Sequence, residues 1–260
     1  DPKTHPYIST GLKNSKFGVP IERALELYRK MQGHKYLQIV GVACHIGSQL
    51  QDLNPFKQAI QEVMQLVYRL ESENIPIQQV DCGGGLGINY TDNSKPQIRE
   101  LVKIIREEIP EKYLVILEPG RSIVGRSGVL VTKVEYIKRG PTKNFVIVDA
   151  AMNDLIRPSL YQAEHDVLPC ITRLGEAKNF DIVGPVCETG DWLAKDKRFS
   201  IKTGDYIAFL DVGAYCFSMS SNYNSRPRSV ELLVDRKKDL KIIRRRETIK
   251  ELFMNELSLI

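Results

Sequence analysis

The first half of the chain alternates between two periodicities, and that alternation limits the folds open to it more than any other feature. Ile21 to Gln32 places Ile21, Ala24, Leu25, Leu27, Tyr28 and Met31 at the 3.6-residue spacing of a helix with one apolar face, and Gly33 stops it. The run LQIVGVACHI that follows reads as a buried strand. Phe56 to Leu70 repeats the helical pattern through Ala59, Ile60, Val63, Met64, Val67 and Leu70, with the short apolar run Ile77 to Val80 behind it. Ile98 to Ile109 is a third helix, through Leu101, Val102 and Ile105, and YLVILEPG a third strand. Strands separated by whole helices cannot pair as hairpins, so they pair in parallel under a helical layer.

In such units the functional groups collect at the carboxyl ends of the strands. Three different motifs fall there: HIGSQ (His45 to Gln49), the glycines of CGGGLGINY (Cys82 to Tyr90) and EPGR (Glu118 to Arg121). Motifs at equivalent positions suit the rim of a (β/α) barrel better than a scatter of structural loops. Three consecutive glycines at a strand-to-loop junction also leave the peptide N–H groups free to close on an anion, as in a phosphate cradle.

Beyond Arg121 the texture changes to short β-rich runs, GVLVTKVEYIK, FVIVDA, FDIVGPV, YIAFLDVGAY, SVELLVD and LKIIRR, separated by Gly, Pro, Asn and Lys. Only brief helices are expected, near Asn153 to Tyr161 and at Ile249 to Glu256. The expected fold is therefore α/β plus β: residues 1–123 form the C-terminal half of a TIM-like barrel, and residues 124–260 a mainly antiparallel, β-barrel-like domain. Three barrel strands cannot close an eight-stranded barrel. The chain, which opens on Asp1, is accordingly expected to be the later part of a longer enzyme and inactive alone.

The chain of 260 residues carries a formal charge of +5, concentrated in RKKDLKIIRRRE (Arg236 to Glu247). Leu240, Ile242 and Ile243 are interleaved with those charges, which is the pattern of a strand with one wet face rather than of a nucleic-acid surface. Five cysteines without a CxxC pair indicate reduced thiols and a cytoplasmic protein. No apolar run reaches the ~20 residues of a membrane span, and no signal peptide is visible.

The glycine stretch lacks the third glycine of a dinucleotide fingerprint, since Ile88 stands there, and no Gly-Lys-Ser/Thr follows for a Walker loop. No His, Cys, Asp or Glu cluster has metal-ligand spacing, so no metal is expected. The anion is then an organic phosphate. Glu118 beside Arg121 at the end of a buried strand reads either as a structural ion pair or as a working carboxylate. Cys187, between Val186 and Glu188, reads either as a small buried hydrophobe or as a functional thiol.

Taken together, HIGSQ, GGGLGI, EPGR, RPSLY (Arg157 to Tyr161), CETGD (Cys187 to Asp191) and GAYCFSMSSNYNSRPR (Gly213 to Arg228) resemble the diaminopimelate decarboxylase family, in its order and nearly end to end. The resemblance implies a pyridoxal-phosphate enzyme that converts meso-2,6-diaminopimelate to L-lysine and carbon dioxide, working as a homodimer with shared active sites. Parts of the set also occur in ornithine and arginine decarboxylases. Such a decarboxylase, a racemase or a non-catalytic cofactor-binding relative are the alternatives.

By the same resemblance Glu118 holds the proton on the cofactor's pyridine nitrogen and His45 lies on the ring face. Ser48, Gly83, Gly84, Gly85, Pro119, Gly120, Arg121 and Tyr215 surround the rest of the cofactor, chiefly its phosphate. Arg121, Arg157, Tyr161, Glu188 and Tyr215 hold the substrate, and Cys187 delivers a proton across the subunit boundary. The family's Schiff-base lysine has no counterpart: Lys3, Lys13 and Lys16 lie in a loop-like opening and none is assigned. CETGD in place of CESGD, and GAYC in place of GAYG, are departures of little expected effect.

Overall fold

The computed structural model describes residues 5–10, 15–91 and 97–256, so Lys3 and Lys13 lie outside the described residues. The chain divides into two compact units, Asp1–Gly125 and Arg126–Ile260.

In the first unit, helix α1 (Ile21–Met31) leads to strand β1 (Gly41–Ala43), α2 (Asn54–Ser72) to β2 (Gln79–Asp81), and α3 (Ile98–Glu108) to β3 (Leu114–Ile116). The strands form one parallel sheet, β1-β2-β3, with Val42 opposite Val80 and Val80 opposite Val115. Helix α2 buries Phe56, Ile60, Val63, Met64, Val67 and Leu70 as one stripe against that sheet. Each strand is three residues long; β1 and β3 are far shorter than the apolar runs that announced them, because the ladder ends where the functional loops begin, and β2 starts two residues later than its run Ile77 to Val80. Helix α1 buries only Ala24 and Leu25, and Ile21 and Leu27 of its expected apolar face are exposed. A four-residue helix, α4 (Arg121–Val124), closes the unit.

The second unit contains strands β4 (Leu130–Arg139) and β5 (Asn144–Val148), helix α5 (Arg157–Tyr161), then β6 (Val167–Pro169), β7 (Lys178–Val183), β8 (Trp192–Phe199) and β9 (Tyr206–Phe209). They form a six-stranded sheet in the order β6-β9-β4-β5-β7-β8, antiparallel except at β5–β7. Its edge strands β6 and β8 approach each other, so the sheet curls nearly closed. Val134, Val146, Val148, Ile182, Leu193, Ile207 and Phe209 fill the interior with no exposed surface, and Phe180 stacks on Phe199 with ring centroids 5.8 Å apart. Strands β6 and β8 were not legible in the sequence. Lys195, Asp196, Lys197 and Arg198 break the apolar alternation of β8, and β6 is three residues long.

Strands β10 (Glu231–Val234) and β11 (Leu240–Arg244) form a separate antiparallel pair, followed by α6 (Ile249–Leu252), whose start carries a Thr248–Glu251 capping box. The expectation that β11 has one wet face is corrected here. Leu240, Ile242 and Ile243 are all exposed, because a two-stranded ribbon offers no second layer to cover either face. Among the described residues, no helix is long and apolar enough to cross a membrane.

Candidate active site

In the first unit the three strand ends are locked together through the glycine triplet. A Cβ on Gly83 would come within 2.5 Å of the Cys44 carbonyl oxygen. On Gly84 it would come within 2.2 Å of the Glu118 carbonyl oxygen, and on Gly85 within 2.0 Å of that of Gly47. Each glycine therefore admits the backbone of a different neighbour, and Gly83 and Gly85 also take positive φ angles of 66° and 102°. Two of their three N–H groups are used internally. Gly83 N donates to Asp81 Oδ1 at 2.8 Å and Gly84 N to His45 Nδ1 at 3.2 Å. The triplet thus serves close approach first, and the Gly85 N–H is its remaining donor.

His45 is exposed, and its Nδ1 accepts the Gly84 proton, so in the neutral ring Nε2 carries the hydrogen. Ser48 is half-buried beside Gly47, its N–H bonded to Ile8 O at 3.0 Å. Gln49, at φ 64°, clasps Ile88 through both amide atoms: Nε2 donates to Ile88 O and Oε1 accepts from Ile88 N. That clasp ties the HIGSQ loop to the glycine loop, a role the sequence did not announce.

Glu118 N donates to Gly83 O at 2.8 Å, which fixes the residue beside the triplet. Its carboxylate is exposed and, among the described residues, accepts no hydrogen bond and forms no ion pair. Pro119 is exposed, and Gly120 O accepts from the amides of Ile123 and Val124 in α4. Arg121 turns inward at 7% exposure, donates from Nη1 to the Tyr90 hydroxyl at 2.5 Å and lies 5.9 Å from the centre of that ring. The structural ion pair between Glu118 and Arg121 is therefore set aside: the arginine is occupied by Tyr90.

In the second unit, α5 begins with Arg157, which is 3% exposed and donates from Nη1 to His165 Nε2 at 2.8 Å. Ser159 Oγ donates to Gly190 O at 2.6 Å, which binds α5 to the CETGD loop, and Tyr161 at its end is half-buried. Asp191 organises that loop. It is 3% exposed, with Oδ1 accepting from Met152 N at 2.7 Å and Oδ2 from Val186 N at 2.8 Å. Burial pushes its carboxyl above the usual range, against the pull of those two amides.

Cys187 and Glu188 sit on the loop so formed, and both are exposed, so Cys187 is not the small buried hydrophobe that its neighbours also allowed. The hydroxyl of Tyr223 donates to Glu188 Oε2. Tyr215 is half exposed at φ 56°, a left-handed backbone that an aromatic residue seldom adopts. Its neighbour Cys216, the GAYC departure, is buried in the core of this unit.

Asp191, His165, Tyr223 and Gln49 are the contributors that sequence reasoning missed. Asp191, Gln49 and Tyr223 stood inside quoted motifs without a role assigned to them, whereas His165 lacked any local signal. No group of three or more His, Cys, Asp or Glu among the described residues could hold a metal ion.

Residues 1–125 match the family model described as the pyridoxal-dependent decarboxylase pyridoxal binding domain. The chain is 49% identical over 257 residues to diaminopimelate decarboxylase of Pseudomonas aeruginosa, covering 98% of this chain and 62% of that protein. It is 48% identical over 252 residues to the Aquifex aeolicus enzyme of the same name, covering 95% and 59%. The crystal structure of diaminopimelate decarboxylase from Helicobacter pylori complexed with L-lysine superposes with a TM-score of 0.92 at 43% identity, covering 98% of this chain and 64% of that one. The chain thus spans less than two thirds of the length of these relatives.

Proposed function

We propose, from the match of residues 1–125 to the pyridoxal binding domain and the 49% identity to a diaminopimelate decarboxylase, that the chain is part of a pyridoxal-dependent decarboxylase that serves the decarboxylation of meso-2,6-diaminopimelate to L-lysine and carbon dioxide. Identity of 41–49% to eight diaminopimelate decarboxylases supports this choice over ornithine or arginine as substrate. The observation that carries the chemistry is the Glu118 carboxylate, which no group among the described residues occupies and which is held beside the glycine triplet.

The residues present fit pyridoxal phosphate. When bound, the cofactor supplies a ring that takes up the electrons released as the Cα–carboxylate bond breaks. Glu118 keeps a proton on the pyridine nitrogen through a charge-assisted hydrogen bond. His45 offers a flat ring to a flat ring, its orientation set by the Gly84 N–H. The remaining Gly85 N–H, Ser48, Gly120, Arg121 and the Tyr215 hydroxyl are donors suited to a phosphate dianion. Gly83, Gly84 and Pro119 shape the approach.

Arg157 and Arg121 match a distal carboxylate, Glu188 a distal ammonium, and Tyr161 and Tyr215 line the same substrate. Cys187, exposed on a loop held by Asp191, delivers a proton to the α-carbon that has lost its carboxylate. We place this enzyme as a homodimer with a full (β/α)8 barrel in each subunit, Cys187 and Glu188 serving the neighbouring subunit.

The test is turnover by the full-length enzyme. Carbon dioxide and lysine should appear from meso-diaminopimelate, with ornithine and arginine at least about a hundredfold poorer in kcat/KM, as expected when a buried arginine is left without its carboxylate. Faster turnover of ornithine or arginine would overturn the reading.

A further inference from the structure

Helix α5 ends in a left-handed residue, Gln162 at φ 53°, which reverses the chain so that His165 returns beneath Arg157 only eight residues later. His165 has no exposed surface. Its Nδ1 lies 2.8 Å from Leu210 O, just beyond β9, and its Nε2 lies 2.8 Å from Arg157 Nη1. A carbonyl can only accept and a guanidinium can only donate. Both neighbours therefore demand the same tautomer, with the hydrogen on Nδ1 and a lone pair on Nε2. That ring is neutral, and a second proton would set an N–H against the guanidinium.

The identity of the partner matters because buried arginines are usually held by carboxylates, which orient the cation and also cancel its charge. An imidazole in this tautomer orients one nitrogen and brings no negative charge. We propose that His165 is a positioning residue for substrate recognition: it fixes the Arg157 guanidinium by a contact that does not compete with a substrate carboxylate. This rests on the reading that Arg157 takes the carboxylate at the distal end of the substrate, which is also the amino-acid end of L-lysine.

The probes are L-lysine, which carries that carboxylate, and 1,5-diaminopentane, the same molecule without it. Affinities of both are measured by calorimetry on the cofactor-loaded full-length enzyme. In His165→Leu, which loses the acceptor, and His165→Asp, which adds a competing charge, the L-lysine affinity should fall tenfold or more, with 1,5-diaminopentane changed less than threefold. His165→Gln, whose carbonyl can still accept from Arg157, should stay within about threefold of wild type for both. Should His165→Leu fail to fold, His165→Asn reads the same ratio, since its side chain reaches Leu210 O but stops short of Arg157.

Arg157→Met separates the two levels. If it collapses the ratio of the two affinities while His165→Leu or His165→Asn leaves it intact, the inference about His165 falls alone. If Arg157→Met leaves the ratio intact, the assignment of Arg157 falls and the inference with it. Parallel loss of both ligands in the His165 variants would reduce the residue to a structural one and overturn the proposal.

Discussion

Tyr223 gives its phenolic hydrogen to Glu188 Oε2, joining the SSNYNSRPR stretch to the CETGD loop across 35 residues of sequence. The contact raises the Tyr223 pKa, chiefly through that hydrogen bond to the carboxylate. Both side chains are exposed, so the bond orients Glu188 more than it stabilises the fold.

Tyr223→Phe should therefore raise KM for diaminopimelate several-fold with little change in kcat or melting temperature. Steady-state kinetics beside a thermal melt checks this. A large fall in melting temperature would mean that the pair holds the fold.

Gly84 faces the Glu118 carbonyl at a distance that no Cβ can tolerate. Gly84→Ala must push the β3 end away and should cost about 1–3 kcal/mol by overpacking. Cofactor affinity should fall with it, because Glu118 moves. Gly87→Ala, where the nearest atoms would stand at 3.0 Å, should be milder on both counts. Denaturant melts and cofactor titration by absorbance read the two effects.

Arg173 forks the Asp205 carboxylate, with Nε at 2.6 Å from Oδ2 and Nη2 at 2.5 Å from Oδ1, and Lys202 N adds a third donor at 3.0 Å. The arginine hydrogen bond, followed by the Lys202 amide and the nearby positive charges, holds this carboxyl below the usual range despite its burial. A carboxyl lowered in the folded state adds stability above its unfolded value of about 3.9, and that stability is lost as pH falls through the folded value. Asp205→Asn should cost on the order of 1 kcal/mol at neutral pH and nothing once the wild-type carboxyl is protonated. Stability measured against pH from neutral to strongly acid should show the two proteins converge.

Cys187→Ala should leave cofactor absorbance and substrate affinity nearly intact while lowering turnover by the ~10²–10⁴ that a positioned acid supplies. Glu118→Ala should be slow for a separate reason, loss of the proton on the pyridine nitrogen. If Cys187 serves the neighbouring subunit, mixed dimers of the two variants should regain one intact site. Mixed dimers that form and recover nothing would refute the shared site.

The alternating periodicities placed all three helices and the parallel order of the first unit, because burial of one face writes its spacing into the sequence. They overstated strand length, since apolar residues such as Ile39 and Ile46 pack beside the ladder without joining it. In the second unit β8 escaped notice because its charged residues face water on a strand whose buried positions are few. Glu118, the glycines and Cys187 stood out because each lies in a short motif whose chemistry is local.

The sequence by itself determined which groups are available: an unusual run of glycines, a carboxylate at a strand end, a thiol in a tight loop and the alternation that sets them at the ends of strands. Only the tertiary structure decided their partners. It turned Arg121 toward Tyr90, left Glu118 without a partner among the described residues, spent two glycine amides on Asp81 and His45, and seated Arg157 on a neutral His165. These are contacts between residues 2 to 39 positions apart, each with a side chain on at least one side. Composition and periodicity record only whether a position is buried, whereas the donor and acceptor that meet there are set by how the loops fold back on one another.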